Sequence, residues 1–344
     1  MSLQLSTLSP GDDADLSTFL NALAKESPSV LAYHYPFYRD MLEGLGVGQP
    51  NYLGVRRSGR LCGYLPVFVK QSNLGTAFCS LPYFGPNAGV LCSHEDRVEV
   101  HELLLKELLR LAEESHALSC SVYTPFLSKD FALYESSFEA FTVVDKFTQY
   151  LDLSTAKWSP EIRNRLRRAQ RASISVTCEA DGARLKEFYD VYQKNCAEYD
   201  IPVKPWMCIE FLADQRLRGR YSQIYMAILE DKVIAGLLVL FSPTTVSYYI
   251  PCSLPEYRGY QPLTLLIDRA AEEARARGLA YWNWESAPSR ESGVYTFKKR
   301  WGAREEPYRI YVKTFQSKDT LREIGRARIA QEFPYFFVWP FDRL

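Results

Sequence analysis

The first half of the chain alternates between helical and strand-like hydrophobic patterns. Apolar residues recur at helical spacing over 15–25 and 35–45, and they alternate with polar residues as in a pair of strands over 51–70. A helix beginning near Ser93 and a strand over 119–123 follow. The pattern predicts two helices, a hairpin, a helix and a closing strand, in that order.

The second half repeats this order. It predicts a helix over 181–199, a strand pair over 222–241, a further strand to Pro251, a helix over 262–277 and a strand over 280–284. Since the same elements follow one another twice, we predict that the chain arose by internal duplication.

The two predicted hairpins can be aligned residue by residue. The segments RSGRLCGYLPVF and EDKVIAGLLVLF place Gly63 on Gly236 and Phe68 on Phe241, with apolar residues at matching positions. The identity is weak, but the matching order of elements on both sides supports the alignment.

A boundary between the halves is expected near Leu153. The segment FTQYLDLS is typical of a strand, and Ser159 with Pro160 supplies the N-cap and first-turn proline of a new helix. We therefore predict an N-terminal domain over 1–153, a C-terminal domain over 154–315 and a helical, aromatic tail over 316–344. The fold class is α/β (α+β), and because no Gly/Ser linker separates the halves, we expect a substrate cleft between them.

Composition and charge narrow the function. The 344 residues are 47% hydrophobic, and 41 Lys and Arg balance 41 Asp and Glu, so the whole molecule has no net charge to attract nucleic acid or an anionic membrane. No apolar run is long enough for a membrane span, which predicts a cytoplasmic protein. The eight cysteines and four histidines show no metal-ligand spacing, so we predict reduced thiols and no metal site.

One predicted helix carries most of the basic residues that could form a local site. In SPEIRNRLRRAQRASISV the apolar stripe is Ile162, Leu166 and Ala169, and the outer arc is positive. The arginines of this segment are Arg163, Arg165, Arg167, Arg168 and Arg171. They can bind the phosphates of tRNA or of a pantetheine nucleotide, or they can form a solvated face paired with acidic residues; both interpretations stay open.

Three segments together resemble the Fem-like branch of the GNAT acyltransferase superfamily. They are the arginine segment, PLTLLIDRAAEEARARGLAYWNWES and GVYTFKKRWGA. The last matches a Gly-x-Tyr-x-Phe-Lys-x-x-(Phe/Trp)-Gly signature through Gly293, Tyr295, Phe297, Lys298, Trp301 and Gly302. The likeness extends over roughly residues 15–315 and is strongest after Leu151.

This resemblance implies two tandem GNAT-like domains, each with a twisted mixed sheet flanked by helices. It also implies transfer of an acyl or aminoacyl group to an amine, with the donor as a co-substrate and no tightly bound cofactor. Members of the family take amino acids from aminoacyl-tRNA for peptidoglycan cross-bridges, and related proteins are acetyltransferases of polysaccharide gene clusters. The implied partners are a small-molecule or peptide amine acceptor and the acceptor end of tRNA.

Lys298 and Glu285 are the candidate catalytic residues. The resemblance assigns transition-state stabilisation to Lys298, and a fixed ammonium can stabilise the oxyanion of amide formation. The neighbouring Lys299 and Arg300 leave open that Lys298 is simply solvated. Glu285 follows the apolar strand YWNW and can accept the proton of an amine.

The donor-binding candidates are Arg163, Arg167, Arg168 and Arg258. In EYRGYQPL, Arg258 and Gly259 stand where GNAT enzymes carry a glycine-rich loop for the pyrophosphate of acetyl-CoA, but Tyr260 and Pro262 replace its open positions. This departure favours aminoacyl-tRNA or another carrier-bound acyl donor. An acetyl-CoA-dependent N-acetyltransferase and a catalytically silent binding module remain the alternatives.

The acceptor-binding candidates are Tyr83, Asn87, Tyr248 and Tyr249. The first two lie in LPYFGPNAG, which resembles the acceptor-side loop of the family; a tight connection is the alternative. Tyr248 and Tyr249 point to opposite faces of a strand, so at most one faces the site. The aromatic tail FPYFFVWPFDRL is expected to dock on the protein surface, since so many exposed aromatic residues are unfavourable.

Overall fold

The computed structural model describes residues 2–82, 87–137, 141–178, 180 and 182–343. The chain divides into two compact units, one formed by Met1–Phe147 with Pro307–Leu344 and the other by Thr148–Glu306. The residues after Glu306 therefore pack with the first unit. The domain boundaries after residues 153 and 315 stay a proposal.

The helices and strands follow the predicted order, with additional short elements. Up to the end of the first half they are β1 (Leu3–Leu8), α1 (Asp13–Leu23), α2 (Pro36–Gly44), β2 (Gln49–Pro50), β3 (Tyr52–Arg57), β4 (Arg60–Leu65), β5 (Phe68–Ser72), β6 (Gly75–Cys79), β7 (Leu91–Cys92), α3 (Arg97–Glu114), β8 (Ser119–Tyr123), α4 (Phe131–Ser137) and β9 (Thr142–Asp152). The later elements are α5 (Pro160–Arg171), β10 (Ser175–Thr177), α6 (Gly182–Glu198), α7 (Trp206–Leu212), β11 (Ser222–Leu229), β12 (Lys232–Phe241), β13 (Thr245–Ser253), α8 (Pro262–Ala276), β14 (Tyr281–Ser286), α9 (Gly293–Arg300), β15 (Arg304–Thr314), α10 (Lys318–Ile324) and α11 (Arg326–Glu332).

In the first unit, β1, β3, β4 and β7 form an antiparallel sheet in that order. The strands β2, β5, β6, β8 and β15 lie side by side, and β6 and β8 are parallel. Leu104 and Leu108 of α3 are buried together with Val55 and Cys120. The amphipathic helix thus forms the core of this unit with the sheet strands.

In the second unit the strands lie in the order β10, β11, β12, β13, β14 and β9. Neighbours are antiparallel except β13 and β14, which are parallel. The apolar stripe of α5 and the buried face of α8 pack on one side of this sheet, where Trp282 and Trp284 of β14 are also buried. The predicted N-cap at Ser159 is confirmed, because its hydroxyl accepts the Ile162 N–H at 3.2 Å.

The predicted alignment of Gly63 with Gly236 is wrong by one residue. Cys62 in β4 and Ile234 in β12 are the extra residues of a β-bulge that lies at the same distance from both hairpin turns. Gly63, which follows the bulge in β4, therefore corresponds to Ala235.

The surroundings of the two glycines agree with this corrected register. A Cβ added at Gly63 would lie 2.2 Å from Val100 of α3, the helix that follows its hairpin. A Cβ added at Gly236 would lie 2.2 Å from Phe188 of α6, which precedes its hairpin. The two glycines face opposite sides of their sheets, and each permits a close helix approach.

The aromatic tail docks on the first unit, as predicted. Phe333 and Trp339 are buried with Ile310 and Val312 of β15. The helical part of the tail forms two short helices, α10 and α11, which are separated at Gly325 with its φ of 80°. Within the part of the chain that the structure describes, no helix has the length and hydropathy needed to cross a bilayer.

Candidate active site

The candidate site lies where β13 and β14 separate. The two strands pair only over Thr245–Ser247 and Tyr281–Asn283, although β13 continues to Ser253 and β14 to Ser286. Beyond Ser247 and Asn283 the two strands are no longer paired with each other. The carboxyl end of a parallel strand pair is where such sheets commonly present functional side chains.

Asn283 organises the polar face of this strand end. Its side-chain nitrogen donates to the Glu285 carboxylate at 2.7 Å and to the Ser247 hydroxyl at 3.4 Å. Its side-chain oxygen accepts the Glu285 backbone N–H at 2.9 Å and the Thr148 hydroxyl at 3.2 Å. Because a backbone N–H can only donate, this network sets the orientation of the amide and fixes the Glu285 carboxylate.

Glu285 has a left-handed backbone with φ of 60°. The register between β14 and β9 shifts between Asn283 and Ser286, so this conformation belongs to a strand irregularity. A non-glycine residue in this region typically costs about 1–3 kcal/mol, and such residues cluster at functional sites. The strained backbone turns the carbonyl groups of Glu285 and Ser286 toward α9.

Lys298 reaches the site from α9. Ser292 caps the N-terminus of this helix, because its hydroxyl accepts the Tyr295 N–H. The side chain is only 3% exposed, and its Nζ donates to the backbone carbonyls of Glu285 at 3.2 Å and Ser286 at 2.8 Å. An ammonium has three donors, and the described residues take two of them. The third can meet an oxygen that becomes negative.

Burial lowers the pKa of Lys298 to about 8, and the nearby Glu285 carboxylate partly offsets this shift. Lys299 and Arg300 beside it are exposed. Lys299 and Arg300 are therefore solvated, whereas Lys298 is not. Phe297 packs against the core and Trp301 lies in it.

The two candidate tyrosines of β13 have different surroundings. Tyr248 is 7% exposed and packs on Trp284 with ring centroids 4.9 Å apart. Tyr249 is the extra residue of a bulge between β12 and β13, and its ring lies 5.3 Å from the Lys204 Nζ. Tyr248 is a core residue, so of the two tyrosines only Tyr249 is proposed to contact the acceptor.

Lys204 is a functional candidate that the sequence analysis missed. It lies between α6 and α7, where its backbone N–H donates to the Tyr192 hydroxyl at 3.0 Å and its carbonyl accepts from the Tyr189 hydroxyl at 3.1 Å. Burial lowers the pKa of its ammonium, and the thiols of Cys208 and Cys196 and the Glu285 carboxylate oppose this. The local sequence IPVKPW does not indicate a functional lysine, and only the tertiary contact with Tyr249 points to one.

The arginine helix α5 keeps an exposed basic face. Arg163 donates to the Trp158 carbonyl at 2.5 Å and Arg167 to the Asn164 side chain at 2.8 Å. Arg168 lies close to Gly259. A Cβ added at Gly259 would be 3.8 Å from the Arg168 guanidinium. These three exposed guanidinium groups therefore lie on one helix, and Arg168 borders the segment that leads into α8.

Arg258 is held by other side chains. Its guanidinium donates to both carboxylate oxygens of Glu198, at 2.6 and 2.5 Å, and lies 5.4 Å from the centre of the Tyr199 ring. The hydrogen bond to Glu198 raises the pKa of Arg258. Arg258 is therefore less available to bind a donor phosphate than the other three arginines, because the phosphate would have to displace Glu198.

The segment before α8 is closed by bulky residues. Residues Pro255–Tyr260 form a 3-10 helix, and Gln261 follows with a left-handed φ of 63°. Pro262 is the first residue of α8 and has no N–H to offer a phosphate. The Gln261 side-chain oxygen accepts from Arg165 at 3.2 Å, which links α5 to this helix start.

The first-half loop is only partly described. Tyr83 lies outside the described residues. Asn87 is fully buried with φ of 70°, and neither side-chain polar atom has a hydrogen-bond partner among the residues that the structure describes. Its role on the acceptor side stays a prediction. Among the described side chains, no group of three or more His, Cys, Asp and Glu residues could hold a metal ion.

Comparison with known protein families identifies one domain in this chain. Residues 156–284 match the family model described as an acetyltransferase (GNAT) domain. The chain carries a GNAT domain. The predicted superfamily resemblance is thereby confirmed, whereas Glu285 and Lys298 lie just after the matched residues. None of the curated proteins compared matches this sequence.

Three solved structures resemble most of this chain in fold. FemX is 12% identical with a TM-score of 0.69, over 89% of this chain and 96% of FemX. L-PGS from Bacillus licheniformis is 15% identical with a TM-score of 0.59, over 93% and 98% of the two chains. The tandem GNAT protein of the clavulanic acid pathway is 14% identical with a TM-score of 0.55, over 92% and 100%. The predicted fold class is therefore confirmed.

Proposed function

We propose that this chain is a transferase that forms an amide bond by moving an acyl or aminoacyl group from a carrier-bound donor to an amine. One observation carries the proposal. Lys298 is a buried ammonium that two carbonyls hold at the end of β14, beside a carboxylate that Asn283 fixes. A pre-oriented cation and a carboxylate base are what aminolysis of an ester or thioester requires.

The reaction begins with attack of the acceptor nitrogen on the donor carbonyl carbon. Glu285 accepts a proton from the nitrogen as the C–N bond forms, and Lys298 donates a hydrogen bond to the carbonyl oxygen as it becomes negative. The tetrahedral intermediate then collapses, the C–O or C–S bond to the carrier breaks, and the proton passes to the leaving oxygen or sulfur. The products are the amide and the free alcohol or thiol.

The donor we propose is aminoacyl-tRNA or another carrier-bound acyl group. The exposed guanidinium groups of Arg163, Arg167 and Arg168 follow one 12-residue helix, which suits a series of phosphates better than a single pyrophosphate. Tyr260 and Pro262 disfavour the usual phosphate grip at the start of α8. Such donors are cytoplasmic, and we propose the same location for this protein.

The donor proposal predicts the behaviour of a charge-reversed helix. Arg167→Glu with Arg168→Glu should weaken tRNA binding and flatten its salt dependence, because each lost phosphate contact reduces the slope of log K against log salt by about 0.7–0.9. Both residues lie off the apolar stripe of α5, so thermal unfolding should change little. Filter binding of alanyl-tRNA between low and moderate salt measures the effect.

The control pair is Arg269→Glu with Arg322→Glu, since these arginines are exposed on other helices. Unchanged tRNA binding by the α5 variant would support the solvated-face interpretation of the helix. Calorimetry with acetyl-CoA belongs to the same experiment. Micromolar affinity for acetyl-CoA, together with absent tRNA binding, would favour an acetyl-CoA-dependent N-acetyltransferase.

The pKa of Lys298 predicts the alkaline side of the pH profile. The ammonium form donates the hydrogen bond, and its pKa is about 8. As pH rises through this value the group loses its proton, so kcat/KM should fall above about pH 8. The residual activity of Lys298→Met should lack this alkaline limb, while Lys299→Met should retain it. An unchanged limb in Lys298→Met would assign it to another group.

A further inference from the structure

Lys204 is a second lysine at the same strand end as the proposed catalytic pair. Its backbone is held from both sides by the hydroxyls of Tyr189 and Tyr192. Pro205 follows it and forms the N-cap of α7. Two hydrogen bonds and an adjoining proline give the base of the side chain little freedom, so the ammonium is presented at a defined position.

The ammonium lies beside the ring of Tyr249 in β13. Its Nζ is 5.3 Å from the centre of the Tyr249 ring, a distance at which a cation is attracted to the ring face. Tyr249 follows Ser247 along β13 by two residues, and Ser247 accepts from Asn283. Lys204 therefore lies near the stretch of β13 that carries Ser247, and the Glu285 carboxylate acts on its charge.

Lys204 and Glu285 are close enough to affect each other electrostatically. The Glu285 carboxylate favours the charged form of Lys204 and raises its pKa, while burial lowers it. A positive and a negative group on one partly buried face form a dipolar surface. Such a surface complements a molecule that carries an amine and a carboxylate, because each charge of the ligand meets its opposite.

We infer that Lys204 binds the carboxylate of an amine acceptor of the amino-acid or peptide class, with the acceptor amine facing Glu285. This inference rests on the proposed function, since it names the acceptor of the same reaction. Lys298 acts on the oxyanion, which exists only during the reaction. Lys204 instead meets a charge that the acceptor carries before, during and after transfer, so it determines specificity through binding.

The test compares acceptors that differ only in this charge. Alanine, lysine and alanyl-alanine are each paired with the corresponding C-terminal amide, with alanyl-tRNA and acetyl-CoA as donors. Wild-type protein should prefer the carboxylate form by about 10- to 100-fold in kcat/KM, the range expected for one charge-assisted hydrogen bond. Lys204→Gln should bring the ratio close to one by lowering only the carboxylate values, and Lys204→Arg should restore part of the preference.

The matched control is Lys194→Gln, an exposed lysine of α6 whose loss should leave the ratio unchanged. A merely structural role for Lys204 would lower the values for acid and amide together, and that result would overturn the inference. A preference retained by Lys204→Gln, or none in wild type, would also overturn it.

Failure of the proposed transferase function gives a different result. If no acceptor is converted by wild-type protein, the same pairs are titrated by calorimetry in the absence of donor. Carboxylate-selective binding that Lys204→Gln abolishes would support the binding role without the reaction. Absence of carboxylate-selective binding by the wild type would overturn the role of Lys204.

Discussion

Replacing Lys298 with alanine is expected to lower turnover by about 100- to 1000-fold, the usual cost of one oxyanion donor. The proposed charge on the oxygen exists only in the transition state, so donor and acceptor should bind almost as before. Single-turnover rates and dissociation constants measured on the same preparation separate the two effects. Lys298→Met should show the same loss of rate, because it fills the buried volume without the charge.

Lys299→Ala is the matched control for this experiment. Lys299 is exposed on the same helix, with its Nζ 6.0 Å from the Tyr295 ring. Its removal should change turnover little, since a solvated ammonium contributes weakly to a buried reaction centre. Full turnover by Lys298→Ala with a converted substrate would contradict the mechanism, although the GNAT fold would be unaffected.

The burial of Lys298 follows from a local pattern, whereas its catalytic role stays a proposal. Its position in the signature after Gly293 suggested a catalytic lysine, and the structure places it 3% exposed while Lys299 is exposed. The helical spacing that places Phe297 and Trp301 in the core also orients Lys298 toward the end of β14. Periodicity within one helix is a local property, so it can be read from the sequence.

Contacts between distant segments could not be predicted in this way. Thr148, Ser247 and Asn283 form one hydrogen-bond network from three strands, and Lys204 contacts the Tyr249 ring from a helix connection. Strand register decides which of these side chains meet. The one-residue error at Gly63 arose at the turn, because the hairpins turn at Ser58–Gly59 and at Glu230–Asp231, and pairing the two glycines displaces the second turn by one residue.

Some whole elements were also missed for physical reasons. β1 and the hairpin of β5 and β6 are short and partly exposed, so their alternation of apolar and polar residues is weak. β15 carries charged residues at its start and was not recognised as a strand that pairs with β8. These strands depend on their partners for stability, and the partners are remote in sequence.

The position of the GNAT match separates fold from chemistry. The matched residues end at Trp284, and the proposed catalytic groups begin at Glu285. The matched part contains α5, α8 and the strands β10 to β13, which form the framework. The proposed chemistry follows at the end of β14 and on α9, and function has to be argued from these side chains, since one fold supports many activities.

Glu285→Gln is expected to reduce kcat by about 100- to 10,000-fold, the contribution typical of a positioned general base. The amide oxygen of glutamine can still accept from Asn283, as the carboxylate does at 2.7 Å, so the strained strand end should keep its geometry. Circular dichroism and the melting temperature check this point. Glu291→Gln, on an exposed residue of the loop before α9, is the control.

The same substitution should also move the pH profile in a defined direction. The Glu285 carboxylate raises the pKa of Lys298, which burial has lowered to about 8. Without that negative charge the pKa of Lys298 should fall further, so the alkaline limb of the residual activity should shift to lower pH. A large loss of kcat with an unshifted limb would mean that Glu285 acts on the acceptor alone. Full activity with an unshifted alkaline limb of the pH profile would mean that Glu285 takes no part in the reaction. Lys298 would then act on an acceptor amine that binds in its deprotonated form.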